Sequence, residues 1–382
     1  MGIEPVKHDS KRIILLDVYR VVAAIAVVMF HLAYRGRLQG QPCDVGFGEF
    51  GELFKYSYLG VDFFFMISGF VISFSAAQGN AGKFVYSRAI RLLPGFLICC
   101  TMTYLTILLL DDGRMAVSLW TYLLNLTMVS GYFGVPYVDF SYWSLGVEIH
   151  FYAMVGAILW LNGSKHLESC IRIWLMASIL FYCYHIRGIN RIVLSEYAPL
   201  FSAGATFYFC YAQKVTLTRL LTLLASFGAT IAWTSVKART LSTFYEQDFD
   251  YRMTILIDAC FFLAFALVVL RIEPPCPRFW IVAGSATYPL YLLHQHIGFI
   301  GMNCLATSLS APVNLSVVLF AIVVLTLIVS EFLEPIARRQ MQRMLSNLPN
   351  AMRTLNTLRL TRTNDVTAST HLCTKPERAV PR

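Results

Sequence analysis

"RVVAAIAVVMFH", residues 20–31, sets ten apolar residues between an arginine and a histidine. The apolar stretch around it, 13–34, is long enough for a helix to cross a bilayer. No small-residue cleavage pattern follows it, so it reads as a retained first span rather than a signal peptide. Arg20 and His31 are eleven positions apart, about 16 Å along a helix and almost three full turns, so they share a face. An ionisable group at membrane depth costs roughly 3 kcal/mol on insertion scales, and it lines a cavity or pairs with another group.

The rest of the chain repeats this pattern. Of 382 residues, 57% are hydrophobic, 14% aromatic and only 14% charged, where a soluble domain carries about 25% charged residues. Apolar segments fall at 13–34, 57–77, 92–110, 142–161, 171–186, 196–212, 219–236, 253–271, 281–302 and 313–333. The expected fold is therefore all-α, a polytopic transmembrane helical bundle of about ten spanning helices. A shorter, more polar segment at 117–131 reads as interfacial or re-entrant.

Charge sets the expected orientation. With the N-terminus inside, the inner loops hold Lys83, Arg88, Arg91, Lys165, Arg172, Lys214, Arg219, Arg271 and Arg278, and the outer loops hold as many basic residues. The tails break the tie. Lys7, Lys11 and Arg12 lie in one, and nine basic residues from Arg338 to Arg382 lie in the other. The positive-inside bias then places both termini in the cytoplasm of an inner (plasma) membrane protein, with an even number of spans. The expected organisation is a cytoplasmic tail over 1–12, a transmembrane domain over 13–337 and a basic, mostly disordered tail over 338–382, drawn to anionic lipid. The net charge of +9 is spread over loops and tail without a nucleic-acid motif, so the expected surroundings are lipid and not nucleic acid. Of ten cysteines none has zinc-ligand spacing, and no metal site is expected; Cys43 and Cys304, both placed near the outer face, leave room for one disulfide.

The polar residues inside the spans carry the chemistry. Arg20 offers a cation for an anionic ligand, or it pairs with Asp17 three residues earlier or snorkels to the interface. His31 is a titratable base, or a satisfied buried imidazole. In "YSRAIRLLPGF", Arg88 and Arg91 share a face at the mouth of the third span, as a phosphate clamp or a topogenic pair. In "DFSYWSLGVEIHFYA", Glu148 sits inside an apolar helix with Tyr152 one turn on, while His150 projects elsewhere and is better suited to an interhelical hydrogen bond. Glu148 is placed to orient or charge a histidine. Trp143 is a substrate contact or an interface aromatic. In "SATYPLYLLHQHIG", Tyr291 and His294 are three apart, as a substrate contact and a second candidate base or contact. Ser68 and Gly69 in "FFFMISGF" read as close helix packing, and Glu334-Pro335 in "EFLEPIARR" as a helix stop.

In chain order these stretches resemble the acyltransferase-3 family of integral membrane proteins, which O-acylate sugars on lipids and polysaccharides. The resemblance spans roughly residues 12–340. "LDVYRVVAAIAVVMFH" resembles the family's first-helix signature, "FFFMISGFV" its second-helix motif, "RAIR" its paired-arginine motif and "YWSLGVEIHFY" its fourth-helix motif; "YPLYLLH" and "EFLEP" also fit. Val18 and Val21 stand where the family often has glycine, and Ile149 where it often has a second glutamate. The resemblance implies acetyl-coenzyme A (or another acyl-coenzyme A) as donor from the cytoplasm, with its phosphates on Arg88, Arg91 and Arg20. It implies transfer to a sugar hydroxyl of a glycan or glycolipid: exopolysaccharide, O-antigen or a lipo-chitooligosaccharide nodulation factor. Two roles are open to His31, general base with Glu148 positioning it, or transient acyl carrier. The competing reading is a glycan or lipid transporter or flippase, which would also bury arginine, glutamate and histidine along a path; a non-enzymatic sensor with the basic tail as output is a third.

Overall fold

In the computed structural model, which describes residues 12–38, 42–184, 187–275 and 277–347, the apolar runs fold into helices, and no strand occurs among the described residues. The helices are α1 (Ile14–Met29), α2 (Gly60–Ala76), α3 (Ala81–Leu110), α4 (Trp143–Asn162), α5 (Leu167–Cys183), α6 (Ala198–Ala212), α7 (Leu217–Tyr245), α8 (Tyr251–Val269), α9 (Pro277–Leu293), α10 (His296–Leu305), α11 (Ala311–Ile328) and α12 (Glu334–Asn347). Polar side chains start several of them: Asn80 accepts from the Lys83 amide, Thr216 from that of Arg219 and Asp250 from that of Arg252, each satisfying one of the free donors of a first turn.

Seven helical stretches are long and apolar enough to cross a membrane: Ile14–Tyr34, Gly48–Ala76, Ala81–Leu110, Phe140–Leu161, Leu217–Tyr245, Tyr251–Val269 and Ala311–Ser346. The expected segments at 171–186, 196–212 and 281–302 fold as the shorter helices α5, α6 and α9. The chain is a multi-pass membrane protein, and its buried polar faces show why. Along α7, Thr222, Ser226, Thr230 and Thr234 are buried while Leu220, Leu221 and Leu224 are exposed. That is the reverse of a water-soluble helix and suits a lipid surround.

Short connections between successive helices make neighbours antiparallel, and hydrogen bonds sort the loops into two ends. At the first end Arg12 donates to the Ile281 carbonyl (3.2 Å), and Arg219 donates to both oxygens of Glu168 (2.9 and 2.8 Å). At the second end Asn303 donates to the Pro42 carbonyl, the Asp44 amide donates to Asn303, and Arg114 clamps both oxygens of Asp44. That clamp holds the Asp44 carboxyl below the usual carboxylate range.

Two apolar cores flank the centre. One gathers Phe70, Phe151, Phe201 and Phe265 from α2, α4, α6 and α8, and the other gathers Phe96, Leu293, Phe299 and Ile322 from α3 and α9 to α11. In the first core α2 and α6 touch backbone to backbone: a Cβ on Gly69 would stand 2.2 Å from the Phe201 oxygen, and one on Gly204 1.9 Å from that of Met66. Gly69 thus serves the packing expected of it.

Two expectations are corrected, the helix stop at Glu334-Pro335 and the room for a Cys43–Cys304 disulfide. Glu334-Pro335 does not stop the last helix. The chain passes through a π turn (Val329–Leu333) and continues as α12 to Asn347; the wider turn just ahead of Pro335 accommodates its ring and missing amide. α12 carries the helix into the first ten residues of the expected tail; the rest of that tail, 348–382, and residues 1–11 lie outside the described residues, and the expectations for both tails lie there with them. Cys43 and Cys304 are free thiols, Cys43 buried and Cys304 exposed. The segment 117–131 holds only a seven-residue helix, Leu119–Asn125, too short to span.

Candidate active site

Between the two cores three cavities follow one another from the first end toward the second. The first, a vestibule of about 380 Å³, is lined by Arg12, Asp17, Arg20, Arg91, Glu334 and Arg338, among others. Asp17 is buried and takes hydrogen bonds from Arg12 (2.6 and 2.9 Å) and from Arg20 (3.0 Å). Arg20 thus pairs with Asp17 and also faces the cavity. α9 comes close enough for this because Gly284 lies against Asp17, where a Cβ would stand 2.7 Å from the Asp17 side chain.

Arg20, Arg91, Val71 and Tyr288 also line the second cavity, a waist of about 90 Å³ that adds Arg88, Glu148, Ser68 and Tyr152. Arg88 and Arg91 share a face of α3, as their spacing predicts. Glu148 Oε1 accepts from Ser68 (2.6 Å) and from Tyr152 (2.5 Å). Arg88 reaches the hydroxyls of Ser75 and Ser87, each at 3.4 Å, and also that of Tyr152, and no hydrogen bond engages the Arg91 side chain among the described residues. Three guanidiniums therefore line the waist with one carboxylate; Arg20 is paired with Asp17, and the positive charge of Arg88 and Arg91 left over beside Glu148 suits a polyanion.

Val61 and Tyr291 separate the waist from a third cavity of about 280 Å³, lined by His31, Arg35, Trp143 and Lys237. Two distorted turns build this chamber. α1 widens into a π turn over Phe30–Tyr34, a feature often found at functional sites, and His31 sits in it. α9 breaks before α10 because the segment ahead of α4 takes over its hydrogen bonds. The His296 amide donates to Asp139 (2.9 Å), and the Leu292 carbonyl accepts from the Tyr142 hydroxyl (3.2 Å). Backbone groups freed at membrane depth are thus satisfied by side chains.

The break leaves His294 completely buried against His31, with Nε2 3.0 Å from His31 Nδ1. The network assigns the protons. His294 Nδ1–H donates to the Tyr291 carbonyl (2.7 Å), so His294 Nε2 is the acceptor. His31 Nδ1–H then donates, shared between His294 and the Val27 carbonyl (2.9 Å). His31 Nε2 keeps its lone pair, which is the form a base requires.

The sequence-predicted residues therefore divide into two groups. Arg20, Arg88, Arg91 and Glu148 meet at the waist; His31, Tyr291 and Trp143 line the third cavity, with His294 behind His31. The expectation that Glu148 orients His31 is corrected. Its carboxylate is held by Ser68 and Tyr152 on the other side of Tyr291, and His294 is the group that orients His31. Tyr291 is held in place, its hydroxyl donating to the Ser141 carbonyl (3.0 Å) and bonded to Ser144 (2.7 Å). Trp143 packs on Tyr197 and also lines a fourth, aromatic cavity with Tyr132 and Tyr137. His150 bonds to the Tyr132 hydroxyl (2.9 Å), which lies in a short turn of the preceding loop (Ser130–Phe133) rather than on a neighbouring helix. Sequence reasoning missed Ser68 as a polar partner, and it missed Asp139 and Tyr288. Asp139 had a signal, since Asp-x-Ser ahead of an apolar run marks a helix start.

No curated protein and no solved structure matched the chain. A family model did: the acyltransferase domain Acyl_transf_3 matches residues 13–333. It covers every cavity-lining residue named above except Arg12, Glu334 and Arg338, and the chain accordingly belongs to the acyltransferase-3 family and is a membrane acyltransferase.

Proposed function

We propose that this acyltransferase moves an acetyl group from acetyl-coenzyme A to a sugar hydroxyl of a glycan or glycolipid, in the inner (plasma) membrane. One observation carries the reading: a line of cavities with shared walls leads from three arginines to a histidine whose Nε2 has no partner among the described residues. Coenzyme A is a polyanion with a long flexible arm. Arg20, Arg88 and Arg91 suit its phosphates by charge-assisted hydrogen bonds, and the arm would carry the thioester past Tyr291. The aromatic third cavity, with Trp143 and Tyr291 in its wall, suits the flat faces of a sugar.

In this reading His31 Nε2 takes the proton of the sugar hydroxyl as its oxygen attacks the thioester carbonyl. The carbon–sulfur bond breaks, and the departing thiolate takes the proton from the imidazolium, which returns His31 to its starting form. His294 keeps Nδ1 of His31 protonated throughout. Glu148 is assigned to the waist, where it holds Ser68 and Tyr152 and tempers the arginine charge.

The test is transfer of labelled acetyl from acetyl-coenzyme A to a panel of glycans by the reconstituted protein. Wild type should yield an acetylated glycan and free coenzyme A in equal amounts, and His31→Ala at equal protein level should yield neither. Full activity of His31→Ala would remove the mechanism. A covalent acetyl adduct on His31 with donor alone would make the imidazole a carrier instead of a base.

A further inference from the structure

The third cavity contains a cation that no carboxylate among the described residues pairs with directly; the nearby buried Asp139 engages Ser141 and the His296 amide with its oxygens. Arg35, four residues past His31, is 8% exposed and lines the same chamber. Its guanidinium lies over the ring of Phe140 (4.9 Å) and near that of Tyr245 (6.0 Å). Its Nε is buried without a hydrogen-bond partner, and no carboxylate pairs with it among the described residues. Burying an unpaired N–H of a guanidinium is costly, because that donor loses water and gains no partner.

The other groups in the chamber sharpen the picture. No carboxylate lines it among the described residues. Its second cation, Lys237, is neutralised by Asp62 behind it, at 3.0 and 3.1 Å. Two more polar atoms of lining residues, the Tyr58 hydroxyl and Trp233 Nε1, are also buried without partners. The chamber therefore offers, among the described residues, one guanidinium without an ion-pair partner and unpaired donors between aromatic walls. That combination matches a sugar carrying an anion.

We propose that the acceptor glycan bears an oxyanion, a uronate carboxylate or a sugar phosphate, and that Arg35 selects it. The proposal rests on reading this chamber as the acceptor site. His31 and Arg35 lie one turn apart, the Arg35 amide donating to the His31 carbonyl, and line one chamber, so the acetylated hydroxyl lies on the acidic sugar or on its direct neighbour. The aromatic rings hold the guanidinium by cation–π contact until the anion arrives.

Acceptor binding tests this without any donor. Trp143 and Trp233 line the chamber, so their fluorescence reports its occupation. Three probes are titrated into the detergent-solubilised full chain: a glucuronate-containing tetrasaccharide, its all-glucose counterpart, and that counterpart phosphorylated at its reducing end. At least one acidic probe should bind ten times more tightly than the neutral one, and which acidic probe does so identifies the oxyanion. Arg35→Gln should abolish the preference, and Arg35→Lys, which keeps the charge but not the fork, should restore part of it. Equal affinity of wild type for all three probes would overturn the proposal whatever the variants do. So would an unaltered preference in folded Arg35→Gln. Adding acetyl-coenzyme A then separates the two readings: selective binding without acetyl transfer would end the transferase assignment of the chamber and leave its anion site standing.

Discussion

Single residues divide by whether water or protein satisfies them. His294 makes no direct use of the cavity, yet it sets which nitrogen of His31 is protonated. His294→Ala should therefore lower kcat by about 10²–10⁴-fold, the usual worth of general acid–base catalysis, with little change in the KM for the donor. An equal loss in kcat and a large rise in donor KM would show that the two imidazoles act elsewhere. The arginines separate differently. Arg91 makes no hydrogen bond among the described residues, so Arg91→Ala should leave the melting temperature alone. Its loss should raise the KM for acetyl-coenzyme A about tenfold or more, in line with a charge-assisted hydrogen bond of about 1.5–3 kcal/mol. Arg20→Ala removes a partner of buried Asp17 and should lower the melting temperature as well. The ionisable residues themselves were legible because a bilayer excludes charge that has no task. Partners one helical turn away were legible too, Asp17 for Arg20 and Tyr152 for Glu148. Those on other helices were not, because Glu148 and His31 share no helix, and which buried group meets another is decided by helix packing that no periodicity encodes.

Helices explain why those partners meet. The 3.6-residue period located the apolar segments, but it presumes regular helices, and the site is built where two of them are irregular. The π turn at Phe30–Tyr34 and the break between α9 and α10 have no glycine or proline at the distortion itself to announce them. Pro289 lies five residues ahead of His294, and the broken hydrogen bonds are redirected by Asp139 and Tyr142 from a distant part of the chain. Asp139→Ala should accordingly cost about 1–3 kcal/mol for each backbone donor it leaves unpaired, those of Ser141 and His296. It should lower kcat more than its stability loss explains, because His294 loses its anchor. Asp139→Asn, which keeps one acceptor oxygen, should recover part of both in thermal melts and transfer assays. Gly204→Ala serves as the contrast. Its methyl would enter the Met66 carbonyl, so it should destabilise by about 1–3 kcal/mol or more without a specific effect on kcat.

Across the whole molecule, charge and cavity point the same way. The vestibule opens at the end where Arg12, Arg219 and Arg338 lie, and the aromatic chamber lies toward the end where Asp44 and Arg114 close the loops. Coenzyme A thioesters are cytoplasmic metabolites, so the donor reading holds only if the vestibule end faces the cytoplasm, as the positive-inside bias expects. Cysteines on the two ends decide it. Cys304 is exposed at the end of α10, next to Asn303 and its bonds to Pro42 and Asp44. Cys170 lies in the first turns of α5, beside the Glu168–Arg219 ion pair of the opposite end. A membrane-impermeant maleimide applied to intact spheroplasts should label a variant whose sole cysteine is Cys304. A variant keeping only Cys170 should react after permeabilisation alone, and slowly, because that thiol is half-buried. The opposite pattern would turn the arginine vestibule away from the cytoplasm. No coenzyme A thioester would then reach it, and the three arginines would have to serve an anion supplied from outside the cell.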